Sequence, residues 1–225
     1  DSLIILGVSY SALAKYDEAL NYFSQARDLN HSVDALYNIA VTFSLLNKIS
    51  DSKKTYQEIL QIDKNHLSSF INLSDIHIKE KDYQHALNLL EKIVSKNPDN
   101  LLLNYNYSVA LIETKKYSNA LKHLNQVINI DTTFLDAYYN KANCLKYMGL
   151  IDEAITVYEE IISIDKQHID SKFNLGICLL LKGQYEQGLE LYENRFRLSR
   201  NYNLTHKPSG DNLLLETNIK RDAKI

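Results

Sequence analysis

Large apolar and aromatic side chains recur along the chain at helical spacing, in columns that repeat about every 34 residues. One column reads Phe23, Tyr56, Leu90, Leu124, Tyr158 and Tyr192, and another is mostly aromatic, with Tyr16, Tyr83, Tyr117 and Tyr185. Two further columns hold only small residues: Gly7, Ala40, Ser74, Ser108, Ala142 and Gly176, then Ala19, Ser52, Ala86, Ala120, Ala154 and Gly188. Gly, Ala and Ser make up roughly one residue in six, so this clustering is not chance. Small side chains in register mark helices that approach closely, where a large one would overpack the contact by about 1–3 kcal/mol. The polar marker of the period is asparagine, at Asn38, Asn72, Asn106, Asn140 and Asn174, each 34 residues after the last. A last column holds Asn30, Asp63, Asn97, Asp131 and Asp165, residue types that tolerate turns and bond to local backbone. Each period therefore predicts a helix A, a short turn, a helix B, and a turn ended by Asn or Asp.

The small, aromatic and turn columns together resemble the tetratricopeptide repeat. Six units match, at about 1–32, 33–66, 67–100, 101–134, 135–168 and 169–198, the first one residue shorter than the rest. One unit alone keeps the family's turn proline, at Pro98, and the second has Ile49 and Ser52 where an aromatic and Ala are usual. The resemblance implies an all-α, right-handed superhelical solenoid of helix-turn-helix repeats, with the A helices lining an inner groove.

The period dies after Leu198, and residues 199–225 read as a turn-rich linker or tail. The sixth unit carries a second resemblance. Its stretch Gly183-Gln-Tyr-Glu-Gln-Gly-Leu-Glu-Leu-Tyr-Glu-Asn-Arg-Phe-Arg197 is similar to the last repeat of bacterial proteins in which the array precedes a glycosyltransferase-like domain. That resemblance, with the want of a polar capping helix, implies that the polypeptide continues past Ile225 into an α/β catalytic domain with a nucleotide-sugar site.

Composition narrows the function classes. A net charge of −3 gives no electrostatic basis for nucleic acid or anionic membrane partners, and no run of 18 apolar residues can span a bilayer. Cys144 and Cys178 stand 34 apart on neighbouring units, too far for a disulfide, which favours a reducing, cytoplasmic setting. The sequence holds no glycine-rich phosphate loop, no His-Glu-x-x-His and no Gly-x-Ser-x-Gly, and predicts no cofactor, metal or catalytic residue. The seven histidines share no column except His66 with His168, and are read as solvated surface groups.

The A-helix positions that the family uses for ligands carry the functional expectation. One column reads Tyr37, Ile71, Tyr105, Tyr139 and Phe173, beside the five asparagines, and Asp34, Asp136 and Asp170 share another. Aromatics give large contact area at low entropy cost, and an amide offers an acceptor and two donors to a peptide unit. With helices ~10 Å apart and an extended chain rising ~3.4 Å per residue, each Asn would meet about every third residue of a ligand. The row resembles the asparagine ladder of O-GlcNAc transferase superhelices, although packing between repeats also places Asn there. The expectation is a protein-interaction scaffold whose groove binds an extended protein or peptide segment. Its rivals are the substrate-presenting arm of a glycosyltransferase and a scaffold that joins partners through its convex face.

Overall fold

The computed structural model describes residues 2–30 and 32–194. The tail 199–225, the Arg195–Arg197 end of the glycosyltransferase-like stretch and the approach to a following domain lie outside the described residues. Twelve helices and no strand are found among the described residues. The A helices are α1 (Ser2–Ala12), α3 (Val33–Leu45), α5 (Leu67–Lys79), α7 (Leu101–Glu113), α9 (Leu135–Tyr147) and α11 (Ile169–Leu181). The B helices are α2 (Tyr16–Asn30), α4 (Ile49–Ile62), α6 (Tyr83–Val94), α8 (Tyr117–Ile130), α10 (Ile151–Ile164) and α12 (Tyr185–Tyr192). The described residues form two compact units, one with α1–α7, up to residue 116, and one with α8–α12, from residue 117.

Every member of both small columns is buried. A Cβ at Gly7 would stand 2.4 Å from the Phe23 ring in the first unit, and the closest approach to backbone is in the second, where a Cβ at Gly176 would stand 2.6 Å from the backbone nitrogen of Tyr192. Gly188 faces Leu180 at 2.9 Å in the same way. The glycine that sets the sixth repeat apart thus has a packing cause within the α11–α12 pair. Bulky columns fill the space between: Leu36, Tyr56, Ile59, Leu73 and Ile76 pack together in the first unit, and Leu145, Val157, Tyr158, Ile161 and Leu179 in the second.

Each A helix ends in the same turn. Ala14, Asn47, Lys81, Lys115, Gly149 and Gly183 all have φ between 57° and 79°. The next residue's N–H closes the motif, as Asp82 N bonds His77 O at 2.8 Å and Leu150 N bonds Leu145 O at 3.0 Å. This is a Schellman stop, which a left-handed residue makes possible. The Asp columns end the B helices as expected: Oδ1 of Asp63, Asp131 and Asp165 accepts the N–H two residues on, at 2.9, 2.8 and 2.8 Å.

Two expectations about side chains need correction or sharpening. The histidines are not all solvated: His66 and His168 cap α5 and α11, their Nδ1 accepting from Ser69 N and Ser171 N at 3.3 and 3.2 Å. His77 is buried in a column that elsewhere reads Phe43, Leu111, Leu145 and Leu179, and burial lowers the pKa of the half-buried His123. Cys144 and Cys178 are buried free thiols, and burial pushes Cys144 up to about 12.

Candidate functional site

In the first unit, residues 34 apart occupy the same place on α3, α5 and α7, so the expected rows form physically. Tyr37, Ile71 and Tyr105 are half-buried, and so are Asn38, Asn72 and Asn106. The amides of Asn72 and Asn106 reach back toward the preceding repeat. Asn72 Nδ2 donates to the hydroxyls of Tyr37 at 3.1 Å and Tyr56 at 3.0 Å. Asn106 finds Ile71 where Asn72 finds Tyr37, and its amide makes only long contacts to Ile71 O and Ser74 Oγ, at 3.4 and 3.5 Å. Asn38 turns to its own helix, donating to Asp34 O at 2.8 Å.

The second unit repeats the arrangement on α9 and α11. Asn174 Nδ2 donates to the Tyr139 hydroxyl and to Asp170 O, both at 3.0 Å, while Lys146 Nζ donates to its Oδ1. Asn174 is buried and has both amide groups engaged. Asn140 and Tyr139 are half-buried, and Phe173 stacks on Tyr192 with centroids 5.3 Å apart. Asp34, Asp136 and Asp170 are exposed in the first turns of α3, α9 and α11, where a carboxylate complements the helix dipole.

Four partners of these rows escaped the sequence reading. Tyr56 and Tyr158 of the B helices seat their hydroxyls beneath the A-helix rows, Tyr158 donating to Asn143 Oδ1 at 2.7 Å. The capping His66 and His168 lie against Tyr37 and Tyr139, each 5.5 Å between centroids. The signal was present as shared columns, since His66 and His168 alone among histidines are in register. Burial raises Tyr56 to about 12, with Asn72 partly offsetting it, and raises Tyr139 and Tyr158 too. Burial lowers Lys146. Among the described residues no group of three His, Cys, Asp or Glu is arranged to hold a metal, and no helix is long and apolar enough to cross a membrane.

Helix pairs closed by one turn type and stacked through small columns define a helix-pair repeat protein. Tetratricopeptide repeat family models match residues 77–144, and residues 1–30, 33–66 and 135–168, together well over half of the chain. The chain belongs to the tetratricopeptide repeat family. Its fold is similar to that of YrrB, described as a TPR protein with an unusual peptide-binding site, with a TM-score of 0.70 and 20% identity over 80% of this chain and 93% of YrrB. It is similar as well to MamA, with a TM-score of 0.67 and 21% identity over 73% of this chain and 90% of MamA. A chain of the Cut9–Hcn1 hetero-tetramer of the APC/C matches with a TM-score of 0.68 and 15% identity, over 90% of this chain and 40% of that one. A BBSome complex member BBS4 homolog of Drosophila melanogaster is 30% identical over 104 residues, which are 44% of this chain and 21% of that relative. The aligned part thus spans about a fifth of that relative's length.

Proposed function

We propose that this chain is a protein-interaction scaffold whose A-helix faces bind an extended segment of a partner protein. The observation that carries the reading is the tyrosine–asparagine link between adjacent repeats. Asn72 has both amide hydrogens on the Tyr37 and Tyr56 hydroxyls, which leaves its Oδ1 to accept from a ligand N–H. Tyr37, accepting from Asn72, keeps its own proton to donate to a ligand carbonyl. One link so offers the donor and the acceptor that a peptide unit needs. Tyr139 accepts from Asn174 and offers the same donor in the second unit. The rows of Tyr105, Phe173, Asn38, Asn106 and Asn140 add aromatic area and further amides in register. Large exposed side chains border these rows, Leu45 and Leu102 in the first unit and Tyr147 and Leu181 in the second, as at surfaces that meet partners. The peptide-binding site named for YrrB is in keeping with this use of the fold.

The test begins with a peptide library enriched on the full chain. Tyr37→Phe and Tyr139→Phe keep the rings and remove one donor each. If each hydroxyl contributes a net ~1 kcal/mol, each change weakens binding of the enriched peptide by about fivefold. Peptides methylated at backbone nitrogens should lose affinity at matching positions. Unaltered binding by the double variant and by methylated peptides would refute the backbone reading.

A further inference from the structure

The B-helix side of the first unit carries a cleft of about 770 Å³ between α4, α5 and α6. Its floor is apolar, with Leu60, Phe70, Leu73 and Leu89, and its rim bears Lys53, Lys64 and Lys92. Phe70, Leu73 and His77 of α5 line it, while Ile71, Asn72 and Asp75 lie on another stripe of the same helix. The cleft is therefore separate from the A-helix rows.

Asp82 is the single carboxylate among the lining residues, and its charge is already occupied. Its Oδ2 stands 3.0 Å from Nδ1 of His77 and its Oδ1 2.7 Å from Nδ1 of His85, whose rings stack 5.5 Å apart. The hydrogen bond from His85, then that from His77, hold Asp82 below the usual carboxylate range, so the carboxylate accepts and both imidazoles donate. Lys53 is paired with Glu80 at 2.6 Å, which leaves Lys64 and Lys92 as the exposed cations.

The second unit supplies a control within the same chain. A cleft of about 500 Å³ lies between α10, α11 and α12, lined by Ile162, Lys166, Leu175, Gln187 and Leu191. Each stands 102 residues after Leu60, Lys64, Leu73, His85 and Leu89. Repeat geometry alone thus produces the hollow. Where the first cleft has Lys53, His77, Asp82, His85 and Lys92, the second unit has Ile155, Leu179, Gln184, Gln187 and Asn194. The fold closes the second hollow without those five residues, so they are not needed to form it; the second cleft keeps Lys166 at the place of Lys64, but has Glu159 where the first has Gln57 and Lys172 where the first has the apolar floor residue Phe70.

We infer that the first cleft docks an acidic segment of a partner protein, one apolar side chain on Leu60, Phe70 and Leu89 and its carboxylates against Lys64 and Lys92. An apolar floor with a cationic rim fits such a segment by charge and by burial. A nucleic acid backbone would need a longer row of cations than this rim supplies, and the chain as a whole carries a net charge of −3.

The test is fluorescence anisotropy on the full chain. The probe is a short labelled peptide of glutamates around a central leucine, with a counterpart that has lysines in place of the glutamates. The acidic peptide should bind at low salt and weaken as salt rises. Lys64→Glu with Lys92→Glu should weaken it about tenfold, as should the milder Lys64→Gln with Lys92→Gln to a lesser degree, with unchanged melting because both residues are exposed. Lys166→Glu with Lys172→Glu, at the second cleft, should leave binding unchanged. No binding, equal binding of the basic peptide, equal losses from both pairs of reversals, loss through Tyr37→Phe, or tighter binding of a single-stranded oligonucleotide to the same cleft would each overturn the inference.

Discussion

Tyr56 and Tyr158 stand 102 residues apart in the sequence, one in each unit, and both are sealed from solvent at 1% and 0% exposure. Their hydroxyls nevertheless find different partners. Tyr56 lies beside Ser44 and Ser52 and accepts from Asn72 of the next repeat. At the matching places the second unit has Lys146 and Ala154, and Tyr158 instead donates to Asn143 of its own repeat. Val41 stands where Asn143 would be, so the first unit has no such acceptor. The freed amide of Asn174 then turns to Asp170 O, and Lys146 reaches its Oδ1. Repeat geometry dictates where a buried hydroxyl must be satisfied and leaves open which side chain satisfies it.

The largest test of this comparison exchanges a small residue. Ser74 and Gly176 share a column, and at Gly176 a Cβ would run into the backbone of α12. Gly176→Ser should lower stability by about 1–3 kcal/mol through overpacking, read as a fall in the urea midpoint. Ser74→Gly should cost less, about 0.5–1 kcal/mol, through helix entropy.

Alkaline pH should act next. A tyrosine is neutral when protonated, and burial raises Tyr56 from 10.0 to about 12, with Tyr158 raised as well. The unfolded chain loses these protons first, so their contribution is fully present below about pH 10 and is lost as pH rises through the folded values. Urea midpoints should hold to about pH 10 and then fall, and Tyr56→Phe or Tyr158→Phe should flatten the decline.

Double-mutant cycles separate the two hydroxyls further. Tyr56→Phe and Asn72→Ala should couple by about 0.5–1.5 kcal/mol, because they share a hydrogen bond. Tyr158→Phe should couple in this way to Asn143→Ala and be close to additive with Asn174→Ala. The reverse pattern in chemical denaturation would contradict the partner exchange. The smallest effect belongs to the serines three residues after the capping histidines. Ser69 Oγ lies 2.9 Å from His66 Nδ1, whereas the buried Ser171 Oγ has no hydrogen-bond partner. Ser69→Ala should cost about 0.5–1.5 kcal/mol, and Ser171→Ala should be neutral or slightly stabilising.

Much of this was legible because its causes are local or periodic. The small columns and the Asp turns announced themselves, and each lies where its chemistry requires; the Asn period announced the register of the repeats. The left-handed turn was harder to read. Gly149, Gly183 and Asn47 advertise it, but Ala14, Lys81 and Lys115 adopt the same φ against their preference of about 1 kcal/mol, because the helix hairpin demands it. His77 was misread by residue type, although its apolar column marked it as a core position. The asparagine row was legible as a row, but its partners were not, because Tyr56 and Asn143 come from positions that look like ordinary packing and surface sites.

The recurrence of one junction at a spacing of 102 residues has a consequence for how such a chain changes length. Tyr37, His66 and Asn72 match Tyr139, His168 and Asn174. A recombination that joined His66 to Ile169, removing three whole repeats, would bring Asn174 to the place of Asn72 opposite Tyr37. His66 would still precede a serine at its capping distance, now Ser171 in place of Ser69. Three repeats could thus leave or enter the gene in one event without breaking a tyrosine–asparagine link, whereas a two-repeat deletion that joined Asn100 to Ile169 would set Asn174 opposite Ile71 and recreate the long, weak contact seen at Asn106.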